Sequence, residues 1–149
     1  MTIGTRDSRK IIGRYNLTSE DVRNEARFDD AIGIFPEFID GYNILILPTT
    51  GRYFQVPYGC TVPPRVKNLL VGGRCVAGDK TSHCAMRNMM ACTVTGQGAG
   101  VAAAVSLKVR RFFPDVVMLM IYFQEAVSTH DVDVKLVQKE LLRQGVRIH

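Results

Sequence analysis

The chain has 149 residues, 46% of them hydrophobic and 22% charged, which is enough for one globular domain with a core and too apolar for a disordered chain. The net charge of +5 is spread from Arg6, Arg9, Lys10 and Arg14 to Lys135, Lys139 and Arg143, with no block of like charge. Aromatic residues do not alternate with the basic ones, so no nucleic-acid partner is expected.

The four cysteines, Cys60, Cys75, Cys84 and Cys92, contain no C-x-x-C pair. With His83 they match no zinc or iron–sulfur spacing, so no metal site is expected. Buried free thiols fit a reducing, cytoplasmic setting. The first residues, MTIGTRDSRKII, lack an apolar signal region. The most apolar run, 116–123, is far shorter than the roughly 20 residues that span a bilayer, and no membrane partner is expected.

In chain order, Thr18-Ser19-Glu20-Asp21 predicts a helix start, with Thr18 as cap and Asp21 completing a capping box. An apolar stripe through Val22, Ala26, Phe28, Ala31 and Ile32 predicts that this helix runs to about residue 34, where Pro36 stops it. Residues 42–47 and 52–58 read as strands joined by the turn Pro48-Thr49-Thr50-Gly51, paired with each other. Pro57 ends the second strand or puts it at an edge. Pro63-Pro64 mark a turn, and 68–72 form a short run apolar on both faces, the pattern of a parallel strand covered by helices. A helix is expected over 86–109. Another is expected over 133–144, with Val134, Val137 and Leu141 on one face and Gly145 as its stop. Between them, 110–127 is very apolar and fits neither helix nor strand pattern clearly.

The most informative stretch is 67–105, which reads as strand, Gly-Gly turn, polar loop and a helix of small side chains. Gly96-x-Gly98-x-Gly100 is not a dinucleotide phosphate loop, because that fingerprint is G-x-G-x-x-G directly after a strand. Three glycines inside a helix cost roughly 1 kcal/mol each relative to alanine, so close packing is expected there. The start of this helix, near Arg87, Asn88 and Met89, should leave backbone N–H groups unpaired and able to hold an electron-rich oxygen. His83 and Arg87 lie one step outside it. A loop histidine and a surface salt bridge are the plainer readings of these two residues.

The segments N-L-L-V-G-G-R (68–74), S-H-x-A-x-R (82–87) and G-Q-G-A-G-V-A-A-A (96–104) resemble the C-terminal flavin-binding segment of the FAD-dependent oxidoreductase family, in the broad glutathione-reductase-like class. L-T-S-E-D-V (17–22), R-F-D-D-A-I (27–32), F-Q-V-P-Y (54–58) and the ending from Asp133 agree in order and spacing. The resemblance implies an α/β fold: a partial FAD-binding domain of a few strands and flanking helices, lacking the N-terminal Rossmann ADP-binding unit. It implies FAD as cofactor, with the backbone of Arg87, Asn88 and Met89 near the flavin pyrimidine edge. Gly73 and Arg74 would then lie beside the ribityl or pyrophosphate region, where many members carry an acidic residue that Asp79 could replace. His83 and Arg87 would face a small-molecule substrate as anion- or proton-handling groups. No G-x-G-x-x-G turn precedes Asn68, so the whole chain, 1–149, is expected to be the C-terminal segment of a longer enzyme, with 110–127 as an atypical insertion. The alternative is a non-catalytic fragment that self-associates through an exposed sheet edge.

Overall fold

A computed structural model describes residues 9–108 and 127–149. Most of the expected segment 110–127 lies outside these residues.

The first helix, α1 (Ser19–Arg23), starts as expected. The Thr18 hydroxyl accepts from the Asp21 amide at 3.1 Å, and the Asp21 carboxylate accepts from the Thr18 amide at 2.8 Å. It does not reach residue 34. Glu25 takes a positive φ of 54°, the chain turns, and Ala31–Pro36 forms strand β1. The apolar stripe that fits a helix also fits a strand buried on both faces, and tertiary packing selects the strand.

The other strands are β2 (Ile39–Gly41), β3 (Ile44–Ile46) and β4 (Tyr53–Pro57). The expected pairing of 42–47 with 52–58 does not occur. Instead β3 folds back on β2 as a hairpin, and β4 pairs antiparallel with β1. Both sheets among the described residues are two-stranded and antiparallel. Residues 68–72 make no strand either. Asn68 adopts a left-handed φ of 59°, and the Val71 amide donates to Thr61 O at 2.9 Å as an isolated bond. The fold is therefore mixed helix and strand, with no parallel sheet among the described residues.

Three further helices follow: α2 (His83–Met86), α3 (Met89–Lys108) and α4 (Val134–Arg143). Asp133 caps α4 by accepting from the Lys135 amide, and Gly145 just beyond it takes a φ of 81°. Over Met89–Leu107, α3 is long and apolar enough to cross a bilayer by length and composition alone. Here it packs on β1 and α4.

The contact between α3 and β1 organises the core. The register of β1 slips by one residue between Ala31 and Gly33, leaving Ile32 as a bulge. Ile32 and Gly33 both meet α3. A Cβ on Gly33 would stand 2.5 Å from Val94 Cγ1, and a Cβ on Gly98 would stand 2.5 Å from Ile32 Cδ1 and 2.9 Å from Ile32 Cβ. The helix can approach only because each contact lacks a side chain on one partner. Around it lie Leu17, Val22, Phe54, Val56, Val137 and Leu141, all fully buried.

Buried amides tie the C-terminal segment to this core. Gln138 Nε2 donates to Asp29 O and Ala31 O, at 2.9 and 3.0 Å. Gln55 Nε2 donates to Ile148 O at 2.7 Å, while its Oε1 accepts from the Phe28 amide at 2.6 Å. Each bond satisfies a polar group that burial would otherwise leave costly.

Gly98→Val should destabilise the protein by about 1–3 kcal/mol through overpacking against Ile32. Gly100 faces open space, so Gly100→Ala should stabilise it by up to about 1 kcal/mol. Urea denaturation of the two variants beside the parent chain checks the pair.

Candidate functional site

The small residues of α3 also bring the turn 72–75 against its N-terminal half. A Cβ on Gly72 would stand 3.0 Å from Gly96 Cα. Gly73 takes a φ of 80°, a left-handed conformation that favours glycine, and its amide donates to Thr95 Oγ1 at 2.8 Å. Thr95 Oγ1 in turn lies 3.1 Å from Ala91 O, back within its own helix. Arg74 and Cys75 follow in a single 3-10 turn, Gly73–Cys75.

His83 sits beneath this turn. It is 2% exposed, and its Nε2 lies 2.8 Å from Arg74 O. A carbonyl oxygen only accepts, so the ring carries a proton on Nε2 and holds the turn from below. Arg87 reaches the opposite way. Its Nη2 donates to Asp40 O in the β2–β3 hairpin, and its Nε is buried with no acceptor among the described residues. Both side chains bond inside the protein.

The donors at the helix start differ from expectation. The Arg87 amide donates to His83 O at 2.9 Å and the Asn88 amide to Ala85 O at 3.2 Å, so both belong to the end of α2. The Asn88 side chain closes that end, with Nδ2 donating to Cys84 O and Ala85 O at 3.0 and 2.9 Å. The ladder restarts when the Cys92 amide donates to Asn88 O. The amides of Met89, Met90 and Ala91, the first three of α3, precede that bond and have no backbone acceptor. Above them Met89 is 87% and Met90 71% exposed. The helix thus begins with three amides lacking a backbone acceptor, beside exposed Met89 and Met90 and buried Ala91, and the Gly73 turn meets it further along, at Thr95 and Gly96.

Asp79 is not available to replace an acidic residue at position 74. Its Oδ2 accepts from the Ser19 amide at 2.7 Å and its Oδ1 from the Ser82 amide at 2.6 Å. It pins α1 to the entry of α2. Burial alone would raise this carboxyl, but amide donors from Ser82, Ser19 and Thr81 outweigh it and hold it below the ordinary value. Among the described residues no group of three or more His, Cys, Asp or Glu side chains could hold a metal ion.

Because the folded pKa of Asp79 is depressed, its stabilisation is complete above the unfolded value of 3.8 and is lost as pH falls through the folded value. Asp79→Asn should cost on the order of 2 kcal/mol at pH 7. The gap in Tm between the parent and D79N should narrow below about pH 4, and thermal melts across that range measure it.

A family model described as FAD dependent oxidoreductase matches residues 1–141. No curated protein and no solved structure matches the chain.

Proposed function

From the premise that this chain belongs to the FAD dependent oxidoreductase family, we propose that it holds the flavin of its FAD cofactor at the N-terminus of α3. One observation carries the reading: three successive backbone donors at Met89, Met90 and Ala91 without a backbone acceptor, under exposed methionines and beside the Gly73 turn. The chain's residues fit the cofactor there. Backbone N–H groups and the helix dipole suit the carbonyl-bearing edge of a flavin ring, where negative charge grows on reduction. Met89 and Met90 offer polarizable apolar surface to its flat face. Gly72 and Gly73 keep side chains away from the backbone at the flank, where ribityl or phosphate oxygens could approach.

Bound FAD supplies the electron acceptor or donor of the reaction. The protein's part is to bind and orient. His83 and Arg87 act here as positioning residues, His83 by holding the Arg74 carbonyl and Arg87 by holding the β2–β3 hairpin. The buried Arg87 Nε–H is a donor in reserve beside the helix start, suited to an anionic group of the cofactor or of a small-molecule substrate. The free thiols fit a reducing, cytoplasmic setting.

A second reading rests on β3. Its strand and flank expose Ile44, Leu45 and Leu47, the last two at 65% each, which suits self-association along an edge.

Met89→Pro tests the first reading, because proline at a helix's first position removes one N–H while keeping the helix. FAD titration followed by flavin fluorescence should show Met89→Ala weaker than the parent through the lost side-chain surface, and M89P weaker than M89A by a further ~1 kcal/mol, roughly five-fold in Kd, for the lost N–H. Equal Kd values for M89A and M89P would sink the assignment of the donors. A chain that ignores FAD and dimerises in sedimentation runs would favour the second reading.

A further inference from the structure

Cys75 and Cys92 are far apart in sequence, and the fold packs the turn that carries Cys75 on the helix that carries Cys92. Cys92 lies three residues before Thr95 and four before Gly96, so all three share one face of α3. That face carries the turn: Gly73 bonds to Thr95, and Gly72 rests on Gly96. Cys75 closes the same 3-10 turn, and the successive contacts of Gly72 with Gly96 and Gly73 with Thr95 run toward the N-terminus of α3, the direction in which Cys92 lies. The two thiols are near enough to act on each other electrostatically. A disulfide needs Cα atoms roughly 4.4–6.8 Å apart, a separation that a turn pressed on a helix through glycines can supply.

The pair is asymmetric. Cys75 is exposed, while Cys92 is half-buried with its Sγ 3.6 Å from Met86 O. Burial pushes the Cys92 thiol up, partly offset by Arg74, and the neighbouring Cys75 raises it further. Cys60 and Cys84 are buried, and the Cys60 thiol is pushed up to about 12 by burial, which keeps it unreactive.

We propose that Cys75 and Cys92 form a thiol pair that exchanges with small-molecule disulfides and closes into an intramolecular bridge between the 73–75 turn and α3. The Cys75 thiolate attacks one sulfur of the reagent, the reagent's S–S bond breaks, and one reagent thiolate leaves. Cys92 then gives its proton to solvent and attacks Cys75 Sγ, and the second reagent thiolate leaves. The pair loses two electrons and the reagent gains them, ending as two thiols. Exposure sets the order, with Cys75 first and Cys92 resolving. The step needs no flavin, so it stands apart from the proposed cofactor site, although the bridge would lock the turn flanking that site.

The test is reaction of the native full chain with an aromatic disulfide, 5,5′-dithiobis(2-nitrobenzoate). The expected result is release of about two reagent thiolates per chain with no adduct left in the intact mass. Digestion without reductant should then give a Cys75 peptide joined to a Cys92 peptide. Cys92→Ser should release about one thiolate and keep a stable adduct on Cys75. Adducts persisting on the parent chain, or a bridge to Cys60 or Cys84, would overturn the proposal. The parent result alone decides it if C92S does not fold.

Discussion

Everything in this structure depends on how closely the helix Met89–Lys108 lies against its neighbours. Three backbone approaches set that distance: Gly33 under Val94, Gly98 over Ile32, and Gly72 on Gly96. At each, an added Cβ would fall 3.0 Å or less from a neighbouring atom, closer than Cβ contacts ordinarily come. Glycine inside a helix weakens it by roughly 1 kcal/mol relative to alanine, so burial of the strand must offset that cost. The β1 bulge contributes by turning both Ile32 and Gly33 toward the helix.

The same closeness links core to surface. The turn 72–75 can touch α3 only where no side chain intervenes, and its position is then fixed from two sides, by Thr95 above and His83 below. Asn88 ends α2, so α3 begins afresh with three amides that have no backbone acceptor. Arg87, between the two helices, is drawn toward the β2–β3 hairpin. Family membership supplies the cofactor, and the place proposed for its flavin rests on the three amides at this helix start that lack a backbone acceptor.

Local signals were legible in the sequence where one element carries them alone. The Thr18–Asp21 box and the Gly145 stop depend on residues within a few positions, and both stand as expected. The small-residue helix was legible as a close-packing surface in part: Gly98 lies against Ile32, whereas Gly100 faces open space. Strand identity and pairing were not legible. Phe28, Ala31 and Ile32 fit a helical stripe as well as a buried strand, and β4's choice of β1 over β3 is settled by the core. The apolar run 68–72 looked like a strand, yet contact with α3 holds it as irregular chain. At the site, the helix starts three residues later than the expected 86, because α2 intervenes over His83–Met86 and the Asn88 side chain caps its end. The packing of the 73–75 turn on α3 is non-local and had no sequence signal.

The most direct measurement is amide hydrogen exchange on the full chain, with and without saturating FAD. If the flavin sits on the open end of α3, exchange should slow at Met89, Met90 and Ala91, whose amides have no backbone acceptor in the free chain. Unchanged exchange at those three amides under saturating FAD, or slowing confined to the β2–β3 hairpin, would contradict the placement of the cofactor at this helix.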